Sequence, residues 1–424
     1  MTLIERDKKH LWHPLTQHQL EPDSLPIVKA KGVVLYDDSG NQYIDAIASW
    51  YTSMYGHCHD DVLQKVTQQM HKLDQIVFAG FTHEPAIELS EKLIALLPNN
   101  QNKIFFSDNG STANEVAIKM AIQYHLNQGV KKQTIIAFEN AFHGDTFGAM
   151  SVSGLSIYNG VFSDLFIDVV RIEVPNKNNF STVLKSLEHI INTHESAAFI
   201  YEPLVQGANA MHMFEAEYLD KIIGVCQSNS IVCIADEVMT GFGKTGKTFA
   251  SDYMYNKPDI ICLSKALTVG FVPMAITSCT QEIYDSFLDD SSKKAFFHAH
   301  TYTANPIACA AALAGIELLE SKEIQSNIQN ISQSHKEFAQ SINSHRTVKS
   351  TRCLGVIIAI DLALELSRYG KERNAIFEYF MSQGVYLRPL GNTIYILPAY
   401  IINEQQLSKI YEAIVSYLDF VEGN

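Results

Sequence analysis

Five short apolar runs, each closed by polar residues, constrain this 424-residue chain most: KIFFSDNGS, TIIAFENAFHGD, AAFIYEP, SIVCIADE and DIICLSKA. Apolarity without alternation is the pattern of a strand buried on both faces. Helix-like segments, STANEVAIKMAIQYHL and TVLKSLEHIINTH among them, lie between the runs. Strand and helix alternate, so the fold class is α/β with a mostly parallel sheet. Ligands of such sheets sit beyond the carboxyl ends of the strands. The closing residues Ser107, Glu139, Glu202, Asp236 and Lys265 are therefore expected around one crevice.

Residues 1–48 include GVVLYDDSGNQYID, two short strands around a turn at Ser39-Gly40, and read as part of a smaller lobe. A helical pattern from Ile307 to about Asn343 follows TYTANP, and a second strand-and-helix region closes the chain. The expected organisation is 1–48, a large domain over 49–320, and 321–424, with a boundary inside that helical pattern.

Net charge is −14, which disfavours a sequence-independent grip on nucleic acid or an anionic membrane, since both need clustered positive charge. Small molecules are the expected partners. The seven cysteines include no C-x-x-C pair and are odd in number, which suits reduced thiols. The segment MTLIERDKKHLWHP lacks the apolar centre of a signal peptide, and IACAAALAGIELL is too short for a membrane span. A cytoplasmic protein is expected.

Gly241 to Thr248 spell G-x-x-x-x-G-K-T, the pattern of a phosphate-cradling P-loop. Such a loop leaves a buried strand directly and opens a full helix. Here an acidic pair and three further residues intervene after the apolar run, and Pro258 follows too soon for a long helix. The match is read as coincidence.

Lys265 closes DIICLS; it is a solvated cation or, if buried, an amine of lowered pKa fit for covalent attachment to a carbonyl. Asp236 closes IVCIA; it is an ordinary strand-end carboxylate or the acid that keeps a heterocycle's ring nitrogen protonated. Pyridoxal phosphate requires both. Gly110, Ser111 and Thr112 begin a helix, either a plain N-cap or a phosphate site made of backbone N–H groups and the helix dipole. Phe142, next to His143, is a core aromatic or a ring to stack on the pyridine face. GHCHD (His57, Cys58, His59) and HAHTYT suggest metal ligands, but neighbouring positions diverge and no third ligand is suitably spaced, so no metal site is expected. Thr301 reads instead as a phosphate-binding hydroxyl.

With IADEVMTGFGKTGKTFA, PDIICLSKAL and TYTANPIACAAA in this order, nearly the whole chain resembles the class III aminotransferases, pyridoxal-phosphate enzymes of fold type I. The resemblance implies a large domain with the central sheet and a small α/β domain built from both chain ends. HLWHPLTQ, ASWYTSMYGH, FTHEPAIELSEKL, HGDTFGAMSV and LRPLGNTIYILPAYII are most similar to the branch that aminates 8-amino-7-oxononanoate in biotin synthesis, with S-adenosylmethionine as usual donor. It further implies that Lys265 binds the cofactor covalently and moves the proton, and that Asp236 pairs with the ring nitrogen. Gly110 and Ser111 would bind the phosphate, joined by Thr301 and neighbouring His300 from the partner subunit of a homodimer. Trp50 would line the keto-acid tunnel, and Arg388 would hold a carboxylate. The sequence departs from the family's pattern at Leu15 and Phe142, each in place of a Tyr, at Lys244 in place of an Arg, and at Ala299–Thr301 in place of G-P-T. These departures bear on the donor, so lysine stands as a competing one. An ω-amino-acid or ornithine aminotransferase, or a non-catalytic cofactor-binding regulator, are the other readings.

Overall fold

The computed structural model describes residues 1–156, 158–364, 366 and 370–423. The chain divides into two compact units, Asp60–Ile328 and the pair Met1–His59 with Gln329–Asn424.

Asp60–Ile328 is built on a seven-stranded sheet. In spatial order its strands are Gln101–Ser107, Ala275–Thr280, Ile260–Leu263, Val232–Asp236, Ser196–Tyr201, Thr134–Phe138 and Val169–Ile172. Only Ala275–Thr280 runs against the rest, antiparallel to both neighbours. The five apolar runs are all strands of this sheet. The sequence reading missed the other two, for identifiable reasons. Val169–Ile172 is a four-residue edge strand interrupted by Arg171, whose guanidinium donates to the Ser153 and Ser151 carbonyls. Ala275–Thr280 carries buried Thr277 and Ser278, which break the apolar run. Their hydroxyls are satisfied, Thr277 donating to Ala113 O at 2.9 Å and Ser278 to Gln101 Oε1 at 2.6 Å, so burying them costs little.

The helix Gly110–Asn127 lies on this sheet. Its Ala113, Val116, Ala117 and Ala121 pack with Ile135, Ile200, Ile234 and Cys262 in one fully buried cluster. Each such Ile contributes roughly 1.5–3 kcal/mol relative to exposure. The expected single helix after TYTANP is two, Pro306–Glu320 and Lys322–Ile342. Ser321 separates them, its extended backbone ending the first and its Oγ accepting from Ile324 N to start the second. The small residues of Pro306–Glu320 serve close packing: a Cβ at Gly315 would fall 2.6 Å from Val269 Cγ2, beside the turn that begins with Lys265. Among the described residues no helix is long and apolar enough to cross a membrane. All seven cysteines are free thiols.

The other unit joins both chain ends. Ile27–Lys31, Val34–Asp37 and Gln42–Asp45 form a meander whose last strand pairs in parallel with Val385–Tyr386. Gly40, at φ +87°, makes the expected turn, where Asp37 Oδ1 accepts from Ser39 N and Asn41 N. A second sheet, Val348–Leu354, Ile357–Leu362 and Thr393–Ile396, accompanies the helices Lys371–Ser382 and Glu404–Gly423.

Candidate active site

Asp236 ends the strand Val232–Asp236 and is 4% exposed. Its Oδ2 accepts from His143 Nδ1 at 2.7 Å and Asn114 Nδ2 at 2.8 Å, and its Oδ1 from Val238 N at 3.1 Å. An ionised carboxylate only accepts, so His143 carries its proton on Nδ1. Asn114 Nδ2 also donates to His143 O at 2.7 Å. His143 Nε2 and Asn114 Oδ1 are buried without hydrogen-bond partners. Asn114 was not singled out from the sequence; the available signal is an amide on the mostly apolar buried face of Gly110–Asn127, where His125 is the other polar side chain.

Lys265 follows the neighbouring strand, where Asp236 stands opposite Cys262. It opens the short turn Lys265–Thr268 at φ 49°, a left-handed backbone uncommon for a residue with a Cβ. Burial lowers its amine's pKa, while Asp236 and Glu202 pull it back up. Glu202 follows the strand Ser196–Tyr201, which pairs with that of Asp236, and burial pushes its carboxyl up to about 7. Glu202 Oε2 accepts from Phe142 N and Oε1 from Gly207 N, both at 3.0 Å. This anchors the loop on which the Phe142 ring stays 36% exposed.

At the start of Gly110–Asn127, Asn109 Oδ1 accepts from Thr112 N at 3.0 Å, and the helix ladder begins with Ala113 N on Asn109 O. The N–H groups of Gly110 and Ser111 precede that ladder and are the donors an anion would use. Two glycines let the surrounding motifs close in. A Cβ on Gly110 would lie 2.7 Å from Val238 Cγ1, and one on Gly144, at φ +133°, 2.1 Å from Ser111 Oγ. Asp145 N donates to Ser111 Oγ at 3.2 Å. DNGST, FHGD and ADEV thus form one close-packed cradle offering a helix N-terminus, an exposed ring and a braced carboxylate. These residues fit an anionic, nitrogen-containing aromatic group such as pyridoxal phosphate.

The stretch resembling a P-loop is a folded turn. Glu237, fully buried, accepts from Thr240 Oγ1, Ala250 N and Ser251 N at 2.6, 3.0 and 2.6 Å. The element that follows Thr248 is the short 3-10 turn Ala250–Tyr253, not the full helix a P-loop opens. Lys244 is fully buried, donates to Gly241 O at 3.0 Å, and is lowered to about 7 by burial and then by Lys265.

His300 lies within its own chain beside the helix start, with Nδ1 3.3 Å from Asp108 Oδ2 and Nε2 2.9 Å from His298 Nε2. Ala299 and Thr301 are exposed, and Gln75 Nε2 donates to Thr301 O at 2.9 Å.

Trp50, Arg388 and Leu15 belong to the other unit, Met1–His59 with Gln329–Asn424. All three are exposed. The pairing of Asp45 with Tyr386 brings the segments of Trp50 and Arg388 together. Both bear on the buried Tyr51 phenol, whose pKa burial raises and which Tyr395, Arg388 and the Trp50 side chain hold down.

Residues 16–418 match the family model described as Aminotransferase class-III. A relative from Synechococcus elongatus, named adenosylmethionine-8-amino-7-oxononanoate aminotransferase, is 40% identical over 97% of this chain and 98% of its own. The crystal structure of the protein of that name from Methanocaldococcus jannaschii has a TM-score of 0.91 at 33% identity, covering 98% of each chain. The omega transaminase of Pseudomonas jessenii in complex with PMP has a TM-score of 0.92 at 28% identity, over 99% of this chain and 98% of that one.

Proposed function

This chain belongs to the class-III aminotransferases, and from that premise we propose that it transfers an amino group to 8-amino-7-oxononanoate in biotin biosynthesis, with S-adenosylmethionine as donor. The full-length likeness to relatives named for that reaction carries the reading. Pyridoxal phosphate, the family's cofactor, supplies when bound an electron sink for the carbon losing or gaining the amine.

The chain's own residues do the rest. Lys265 Nζ is the attachment point. As a free amine it would take the proton from the amine-bearing carbon of the donor and, in the second half, deliver one to the former ketone carbon. Its lowered pKa keeps more of the amine neutral than an ordinary lysine would. Asp236, braced by His143 and Asn114, holds a proton on the ring nitrogen. Gly110 and Ser111 N–H groups take the phosphate, and Phe142 covers the ring. Trp50 and Arg388 receive the keto acid, Arg388 by a two-pronged grip on its carboxylate.

A homodimer completes the assignment, with Thr301 of one subunit reaching the phosphate of the other, while His300 stays beside its own chain's helix start. Support comes from the segments around them. Gln75 and Asn305 tie two loops together, and those loops expose Val77, Phe81, Phe297 and Tyr302 at 58, 61, 76 and 61%. The free cysteines suit a reducing cytoplasm.

Leu15 and Phe142 favour lysine as a second reading of the donor, because a ring and a hydroxyl usual in the family are missing there. The test is the cofactor absorbance of the holoenzyme during single-turnover addition of S-adenosylmethionine or, separately, lysine. Bleaching by S-adenosylmethionine and recovery with 8-amino-7-oxononanoate is the expected result. Bleaching by lysine alone would replace the donor, and no recovery with the keto acid would sink the substrate assignment.

A further inference from the structure

His57 has no part in the chemistry above, yet the residues around it give it one. Ala48, Ser49 and Tyr51 all hold positive φ, at 47°, 62° and 64°. Left-handed backbone is unfavourable for any residue with a Cβ, and a run of this kind persists only where its surroundings impose it. Trp50 sits inside the run, with its side chain 51% exposed. Tyr51 beside it is pinned, its hydroxyl donating to Tyr395 OH at 2.9 Å.

Asp45 imposes the conformation from below. Its side chain is 1% exposed; Oδ1 accepts from Ile47 N at 3.2 Å, and Oδ2 from Ser49 N at 2.6 Å. The remaining bond to Oδ2 comes from His57 Nε2, at 2.8 Å. A buried carboxylate that lost this donor would shift toward other partners or water and release Ser49 N. His57 is itself fixed. Its N–H donates to Gly32 O at 2.7 Å and its carbonyl accepts from Gly32 N at 3.0 Å. Gly56, at φ +81°, permits this approach, since a Cβ there would come within 2.4 Å of Ile401 Cδ1.

We infer that His57 is a positioning residue for the keto acid: by donating to Asp45 it locks the strained Ala48–Tyr51 turn that presents Trp50. The inference rests on the reading of Trp50 as a wall of the keto-acid site.

The chain has two tryptophans, so the Trp12→Phe holoenzyme reports Trp50 alone by its indole emission. Adding His57→Leu to that protein should change the emission without ligand and raise the KM for 8-amino-7-oxononanoate about tenfold or more. The donor half-reaction should keep its rate, which a general loss of structure would not allow. His57→Gln retains an N–H donor and should restore both quantities. Unchanged emission and KM in His57→Leu would overturn the inference, as would a Gln variant no better than Leu. Should His57→Leu not fold, Asp45→Asn is read by the same two quantities and with the same meaning. Keto acid turned over by the Trp12→Phe protein with no effect on Trp50 emission would instead remove the Trp50 assignment, and the inference with it.

Discussion

Lys265 and Lys244 are two amines that burial discourages from holding a proton, and they differ in what opposes that burial. Lys265 has Asp236 and Glu202 to pull its pKa back up. Lys244 has only the charge of Glu237 to raise it, and the charge of Lys265 pushes it further down, to about 7. Its folded pKa lies below its unfolded one, so the penalty is complete below about 7 and fades as pH rises toward 10.5. Lys244→Met should therefore stabilise the protein by about 1–4 kcal/mol at pH 6.5, and by less at pH 9.5. Urea unfolding at the two pH values reads this directly. Lys265→Ala should retain cofactor non-covalently and lose at least about 10³-fold in turnover. Borohydride treatment should then fix no cofactor to the chain.

Among the elements, the helix Gly110–Asn127 and the loop around His143 depend on one another. Gly144 lies against Ser111 so closely that any Cβ would enter the hydroxyl's space, and its φ of +133° excludes most other residues as well. Gly144→Ala should therefore push the loop off the helix start and weaken pyridoxal phosphate binding by about tenfold or more. Equilibrium titration of the apoprotein by cofactor fluorescence measures it. The same packing explains why Asp236 is reached from three elements: a strand carries it, a helix supplies Asn114 and a loop supplies His143. Asp236→Asn should keep the fold, since an amide oxygen still accepts from Val238 N. It should lower turnover by about 10²-fold or more by leaving the ring nitrogen without a carboxylate. Steady-state kinetics beside a thermal melt separates the two effects.

At the scale of the whole molecule, the proposed assembly makes each site a joint product of two chains. Lys265→Ala and Thr301→Ala chains, each impaired alone, should regain activity on mixing and refolding together. One site of the hybrid would then hold an intact Lys265 and an intact Thr301. Two sites each complete within a single chain would give no recovery, so the mixing assay separates the arrangements. Sedimentation should give a mass near twice 47.4 kDa.

The sequence by itself determined the strands that bury both faces, because water rejects an uninterrupted apolar run wherever it lies, and it determined their polar closing residues. From these followed the α/β class, the crevice side of the sheet, and Lys265 and Asp236 as candidates. Local pattern also exposed the P-loop match as misplaced, since a phosphate loop needs its strand and helix immediately beside it. Tertiary structure alone decided the rest. Thr277 and Ser278 are interior because partners distant in sequence satisfy them. Asn114 and Glu202 take their roles from atoms on other elements, and Gly144 from Ser111 across a loop. The lowered pKa of Lys244 and the Asp45–His57 clamp depend likewise on burial and on partners brought in by folding. Desolvation and hydrogen-bond geometry are properties of surroundings, and a linear sequence lists residues without stating which will surround which.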